Sequence, residues 1–201
     1  MPAPPANDRR DPLEVHLLGV VDFDAASFLQ ERLVYELSGR DDQTGALLLC
    51  EHPPIVTIGR EGSRAWLRAD DRDFAARLCE AVIDVCTELH VAAWPSEDGR
   101  GVSCRLGQFA YVGAAIKADI AYHGLFVNVS PPMDFVRLVD GGRRSERQTS
   151  LAAQRARPTE MHTVREALIR HLAAVLGYER HHIYTGHPLL RRTYRKVPIS
   201  A

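Results

Sequence analysis

The sequence predicts an α+β domain in which helices pack on a mostly antiparallel sheet. Amphipathic helical stretches occur among short β-branched and aromatic runs, without the strict strand–helix alternation of a parallel sheet. The runs that follow residue 101 are separated only by Gly, Asp and Pro, as in tight turns. With 45% hydrophobic and 25% charged residues, the 201 residues suit one domain with its own core.

The first predicted elements are a strand and an amphipathic helix. An apolar run predicts a strand over residues 15–21, and Asp24 then opens a helix that Gly39 ends. The helical stretch repeats an apolar residue every fourth position, at Leu29, Leu33 and Leu37.

A continuous apolar run predicts a second strand over 46–50. The prolines in His52-Pro53-Pro54 interrupt it, and a further strand is expected over 55–58, so that the two form a bend at a sheet edge.

A second helix begins at Asp70 or Asp71, both good N-cap residues. Its apolar stripe consists of Phe74, Leu78, Val82, Val85 and Leu89. The remaining strands are expected over 101–104, 109–116, 120–129 and 135–139.

A third helix and two flanking segments complete the predicted organisation. The capping box Thr163-Val164-Arg165-Glu166 opens the helix, and Gly177 ends it. A disordered Pro-rich arm is expected over 1–12, the folded domain over 13–178, and a loosely packed tail over 179–201.

Composition excludes several function classes. A net charge of −1 argues against binding of nucleic acid, and no apolar stretch is long enough to span a membrane. The four cysteines lack a CxxC spacing, which favours reduced thiols in the cytoplasm. No metal site is expected, because the histidine spacing offers only the adjacent pair His181-His182 and an isolated His52 at a strand end.

Several motifs occur in an order that resembles one family. The E-H-P-P-x-x-T-x-G-R pattern falls at 51–60, and four later patterns fall at 108–113, 122–128, 135–142 and 149–151. Over residues 15–177 the chain resembles the lipoyl(octanoyl) transferase family (lipoate-protein ligase B) of the biotin/lipoate protein ligase superfamily. The resemblance implies that superfamily's fold.

The resemblance also implies a reaction, and this sequence lacks residues that the reaction uses. Family members move an octanoyl group from acyl carrier protein to a cysteine, and then to a lysine of a lipoyl domain, without a cofactor. A neighbouring lysine favours the reactive thiolate. Here the cysteine position falls on Gly141 and the lysine position on Gln108. The family's Gly- and His-rich loop is also missing after Arg60, through real divergence or a gene-model error. We therefore expect an impaired octanoyltransferase, a pseudoenzyme.

The family's acyl groove is expected along two strands. Its lining would comprise Tyr111, Val112, Gly113, His123, Gly124, Leu125 and Phe126. Alternatively, these residues serve only to pack the sheet. If the groove is retained, the implied partners are acyl carrier protein and lipoyl domains.

Three alternatives remain open at this point. The chain is a non-catalytic binder of a lipoyl domain or acyl carrier protein, or an acyltransferase with a displaced nucleophile. Cys104 is the foremost substitute, with Lys117 as its lysine, although a buried thiol and an exposed lysine are the plainer interpretation of both. Cys50 is interpreted in the same way, as a core residue. An adenylate-forming lipoate ligase is disfavoured, because that chemistry needs a lysine where Gln108 stands.

Overall fold

The structure is a computed structural model. It describes residues 11–40, 42, 44–55, 69–117, 120–136, 147–155 and 157–190, and for 69–72 the backbone alone. Its elements in chain order are β1 Leu13–Val20, α1 Phe23–Ser38, β2 Ala46–Glu51, α2 Ala69–Glu88, β3 Ala93–Pro95, β4 Gly101–Cys104, β5 Gly107–Val112, β6 Ala115–Lys117, β7 Ile120–Tyr122, β8 Leu125–Val127, α3 Met133–Val136, a 3-10 turn Ala152–Gln154, α4 Met161–Val175 and β9 His181–Thr185.

The strands form an antiparallel sheet, a hairpin and a parallel sheet. The antiparallel sheet has the order β3-β4-β5-β8, and β6 pairs with β7. This arrangement confirms the predicted α+β class. The third sheet, β2-β1-β9, is parallel and was not anticipated. Its β1–α1–β2 part is a strand–helix–strand connection, as parallel pairing of consecutive strands requires.

The main core lies where α2 and α4 cover the antiparallel sheet. Phe109 on β5 and Val102 on β4 are fully buried there, against Val82 and Val85 of α2 and Val164 of α4. The apolar stripe predicted for α2 is therefore correct in its register. Burial of a side chain the size of Phe109 contributes about 3 kcal/mol, so this contact fixes the sheet on which the candidate site is built.

Several predicted boundaries are wrong. The strands expected over 109–116 and 120–129 each break in two at a glycine, Gly113 or Gly124, giving β5 and β6 and then β7 and β8. The strand expected over 55–58 lies outside the described residues, except for Ile55.

Two further differences have local reasons. Phe135 and Val136, the first residues of the strand expected over 135–139, lie in α3 instead, because the carbonyl of Pro132 accepts from their N–H groups and closes a helical turn. Residues 137–139 lie outside the described residues. Helix α4 begins one turn before the capping box: the Val164 N–H donates to Glu160 O, which makes Glu160 the N-cap and leaves Thr163 exposed within the first turn.

Part of the segment expected to be a loosely packed tail is a strand instead. β9 pairs in parallel with β1, with Ile183 opposite Val15. Its side chains are all exposed, Ile183 by 55%. The strand pairs with β1 through its backbone while its side chains stay exposed, which explains why the hydrophobic pattern did not reveal it. The expected disordered arm lies outside the described residues, except Asp11 and Pro12.

None of the helices in the described ranges has the length and apolar character needed to cross a membrane. Within those same ranges, His, Cys, Asp and Glu side chains do not gather in threes or more in a way that could hold a metal ion.

Candidate functional site

A cavity of about 980 Å³ lies between α1, β2, the β7–β8 turn and α4. Its wall brings together two of the segments that carry the family motifs, 51–55 and 120–129. Much of the remaining wall is aliphatic or aromatic, from residues such as Leu33, Leu47, Leu48, Leu49, Phe74 and Leu168. A concave apolar space with a few polar groups is the usual form of a small-molecule site.

The turn at His123 and Gly124 forms one side of this cavity. Both residues have positive φ, 66° and 116° respectively. The turn is fixed to α1 because the Gln30 side chain lies 3.2 Å from His123 Nδ1 and donates to the His123 carbonyl over 3.3 Å. It is fixed to the end of β5 because the Gly113 N–H donates to Gly124 O over 2.8 Å.

The predicted groove residues divide into two groups. His123, Gly124, Leu125 and Phe126 lie in the cavity wall. The other three, Tyr111, Val112 and Gly113, lie on and just after the neighbouring strand β5 and do not belong to that wall as the described residues define it.

Aromatic rings from α1, β8 and the segment after β2 meet in the cavity wall. The Phe23 ring lies 6.2 Å from the Phe126 ring and 5.6 Å from the His52 ring, between ring centroids. Phe23, His52 and Phe126 thus form one aromatic group in the cavity wall.

Gln108, at the family's lysine position, is turned back onto its own strand. Its Nε2 donates to Ala110 O over 3.1 Å. The amide occupies the space beside Gly101, where a Cβ atom would come within 2.1 Å of Nε2. A neutral amide in this position supplies no positive charge to lower the pKa of a thiol.

The Thr149-Ser150-Leu151 motif is fixed to this position. The Gln108 N–H donates to Arg147 O, and the Thr149 N–H donates to Gln108 O, both over 2.9 Å. All three motif residues are buried. Gly141 lies outside the described residues, as does the stretch after Arg60 where the Gly- and His-rich loop would be.

Cys104 and Lys117 lie in different sheets. Cys104, the last residue of β4, is buried, and its Sγ donates to Gly107 O over 3.1 Å. Burial raises the pKa of its thiol. Lys117 is exposed on the β6–β7 hairpin. These positions match the plainer interpretation of both residues, and the alternative, a Cys104–Lys117 catalytic pair, gains no support from them.

The cavity wall contains a thiol–imidazole contact that the sequence analysis did not single out. Cys50 Sγ lies 3.5 Å from His52 Nε2, and His52 Nδ1 lies 2.7 Å from Val21 O. Both side chains are partly buried and line the cavity. The spacing of Cys50 and His52 could have indicated this contact, because residues two apart at a strand end share a face.

Comparison with individual known proteins identifies the family, although no protein-family model matches the chain. The octanoyltransferase of Geotalea uraniireducens is 30% identical over 174 residues, which cover 68% of this chain and 80% of that enzyme. The chain belongs to the octanoyltransferase family. A second member, from Salinispora arenicola, is 25% identical over 209 residues, covering 82% of this chain and 96% of its own length.

Solved structures show the fold that the family resemblance implied. A Thermoplasma acidophilum protein solved with bound lipoic acid matches with a TM-score of 0.56 at 13% identity, over 89% of this chain and 91% of its own. A bipartite lipoate protein ligase from the same organism matches with a TM-score of 0.51 at 12% identity, over 89% and 88%. The predicted biotin/lipoate ligase fold is thus confirmed.

Proposed function

We propose that this octanoyltransferase-family protein binds an octanoyl group in the cavity but is impaired in transferring it to a lipoyl domain. The observation that carries the proposal is the hydrogen bond from the Gln108 amide to Ala110 O, at the position where the family has its lysine. The family's cysteine position is Gly141, which has no side chain to acylate. The catalytic pair is thus replaced while the cavity remains.

The expected loss of rate is large. Covalent catalysis divides a difficult acyl transfer into two easier steps, and it needs a nucleophile that is activated by a base or by a lowered pKa. Loss of the proton-transfer partner alone typically costs a factor of about 10² to 10⁴. With both family positions replaced, transfer by the family's route falls towards the uncatalysed rate.

The cavity supports acyl binding. Each buried methylene contributes about 0.8 kcal/mol, so an octanoyl chain would contribute roughly 5 kcal/mol before the cost of ordering it. The donor we propose is octanoyl-loaded acyl carrier protein. The acceptor partner is a lipoyl domain, as in the T. acidophilum ligase, which was studied together with its E2 lipoyl domain. We place the protein in the cytoplasm.

A cavity-filling variant tests acyl binding. Ala121 lines the cavity with an exposed side chain, so Ala121→Trp fills the space without disturbing the core. Ala92→Trp is the matched control, because Ala92 is equally exposed and lies outside the wall.

Titration calorimetry would compare octanoyl-loaded with unloaded acyl carrier protein. We expect the wild type and Ala92→Trp to prefer the loaded form, and Ala121→Trp to lose about tenfold or more of that preference. Equal affinity of the wild type for both forms would refute acyl binding in the cavity.

A further inference from the structure

The thiol–imidazole pair in the cavity wall consists of residues other than those at the family's catalytic positions. We propose that Cys50 accepts an acyl group from a thioester, with His52 as its general base, and so forms an acyl-Cys50 thioester in the cavity. The inference rests on the proposed function for the identity of the acyl donor. It does not depend on any residue at position 108 or 141.

The hydrogen bond of His52 to the backbone fixes its tautomer. A carbonyl oxygen can only accept, so the contact of 2.7 Å with Val21 O places a proton on Nδ1. Nε2 of the neutral ring then presents its lone pair to the Cys50 thiol, 3.5 Å away. Nucleophile, base and orienting group thus follow one another in the order that activated nucleophiles require.

The surrounding backbone holds this geometry. The Val21 N–H donates to Glu51 O over 2.9 Å, which locks the end of β1 beside the residue between Cys50 and His52. The Phe23 ring and the imidazole also pack edge to face. Rotation of the His52 ring would therefore cost both a hydrogen bond and an aromatic contact.

Space for an acyl carbonyl lies next to the thiol. Cys50 pairs with Gly19 at a register shift in β1. Gly19 has a φ of 68°, a Cβ added there would meet no atom within 4 Å, and the residue also lines the cavity. By contrast, Cys79, Cys86 and Cys104 are buried in the core.

The thiol is neutral before it reacts, which decides how the reaction proceeds. Burial, and to a smaller degree Glu51, raises the pKa of Cys50 to about 11. A preformed thiolate is therefore rare at neutral pH, and the attack has to be assisted by a base.

The acyl transfer balances without an oxidant or other co-reactant. Cys50 Sγ bonds to the carbonyl carbon of the donor thioester as its proton passes to His52 Nε2. The carbon–sulfur bond of the donor then breaks, and the leaving thiolate takes that proton from His52 Nε2. The products are acyl-Cys50, a free donor thiol and a neutral His52.

The test uses the full-length protein and octanoyl-N-acetylcysteamine, a small thioester that needs no protein partner. Intact-mass spectrometry with peptide mapping would follow the wild type, Cys50→Ala, His52→Ala and the control Cys104→Ala. We expect one octanoyl group on Cys50 in the wild type and in Cys104→Ala, and none in Cys50→Ala. His52→Ala should react at least about 10²-fold more slowly.

Added imidazole separates a base from a structural residue. It should restore acylation of His52→Ala and leave Cys50→Ala unreactive; if His52→Ala does not fold, His52→Gln replaces it in the rate comparison. Acylation of Cys50→Ala at the wild-type rate, a wild-type rate in the His52 variant, or no acylation of the wild type would overturn the inference. If the last result came with preferential binding of octanoyl-loaded acyl carrier protein, the proposed function would stand and only the role of Cys50 would fall.

Discussion

At the scale of single residues, the position of each cysteine relative to the cavity distinguishes the four thiols better than the neighbouring sequence does. Sequence motifs directed attention to Cys104, which lies beside the lysine position along the chain. Tertiary packing places Cys104 in the core and Cys50 at the cavity wall. The contact between Cys50 and His52 is local and could be predicted from their spacing. Their access to a cavity could not, because distant helices and strands form its other walls.

Alkylation tests this division of the thiols. We expect iodoacetamide to modify Cys50 first in the native protein, at a rate that rises with pH towards 11, because the pKa of its thiol is about 11 and the fraction of reactive thiolate grows with pH. Cys86, with a pKa raised to about 12 by burial, should react only after unfolding. Peptide mapping at several pH values measures both. Modification of Cys104 in the native protein as fast as Cys50 would contradict this assignment.

At the scale of elements, the first residue of β5 determines how the backbone of Gln108, at the family's lysine position, is held. Gly107 has a φ of 133°, and a Cβ atom there would come within 1.8 Å of Arg147 O. Only glycine lets the 147–151 segment run beside Gln108 and make the two backbone hydrogen bonds that hold it.

A pair of alanine substitutions tests this close approach. Gly107→Ala should lower the free energy of unfolding by about 3 kcal/mol or more, from backbone strain and the clash with Arg147. Gly99→Ala, at a φ of 69° with open space around it, should cost only about 1 kcal/mol. Urea denaturation gives both values. Equal losses in the two variants would show that the Arg147 contact does not matter.

The contact between α2 and α4 includes a surface ion cluster. Arg170 donates to both carboxylate oxygens of Glu88, and His171 Nε2 lies 2.7 Å from Oε1. The hydrogen bonds from Arg170 and then from His171 lower the pKa of Glu88 to about 2. Since the folded-state pKa is depressed, the cluster stabilises the fold above the ordinary value of about 4.5 and loses this effect as pH falls towards 2.

Substitution of Glu88 should show this pH dependence. We expect Glu88→Gln to be less stable than the wild type at neutral pH, with a difference that shrinks between pH 4.5 and pH 2. Glu80→Gln, which alters an exposed carboxylate on the same helix, is the control. Denaturation midpoints measured across this range decide the matter, and a difference that stays constant with pH would count against the cluster.

At the scale of the whole molecule, the order of the motifs was enough to predict the family fold, and the β-branched runs separated by Gly, Asp and Pro predicted the antiparallel sheet. The parallel sheet was not predicted, because β9, the last strand among the described residues, pairs with β1, the first of them. Such pairing is non-local, and exposed side chains leave no hydrophobic alternation to reveal it.

Truncation tests whether β9 belongs to the fold. A chain ending at residue 180 loses the strand, exposes the edge of β1 and uncovers the buried His16, whose ring stacks on Tyr184. We expect a lower unfolding midpoint and self-association by size-exclusion chromatography, because an unpaired β edge invites pairing. A chain ending at residue 190 keeps β9 and is the control. Identical unfolding midpoints and elution volumes of the two chains would show that residues 181–190 are only a loosely packed tail.

The most direct test of the central claim is intact-mass spectrometry of a mixture of this protein, octanoyl-loaded acyl carrier protein and an unmodified lipoyl domain. The Geotalea uraniireducens enzyme run in parallel shows the activity of a family member whose sequence is related to this chain. We predict that the octanoyl group appears on Cys50 of this protein and not on the lipoyl domain. An octanoyl gain on the lipoyl domain that depends on this protein and approaches the rate of the parallel enzyme would contradict the account.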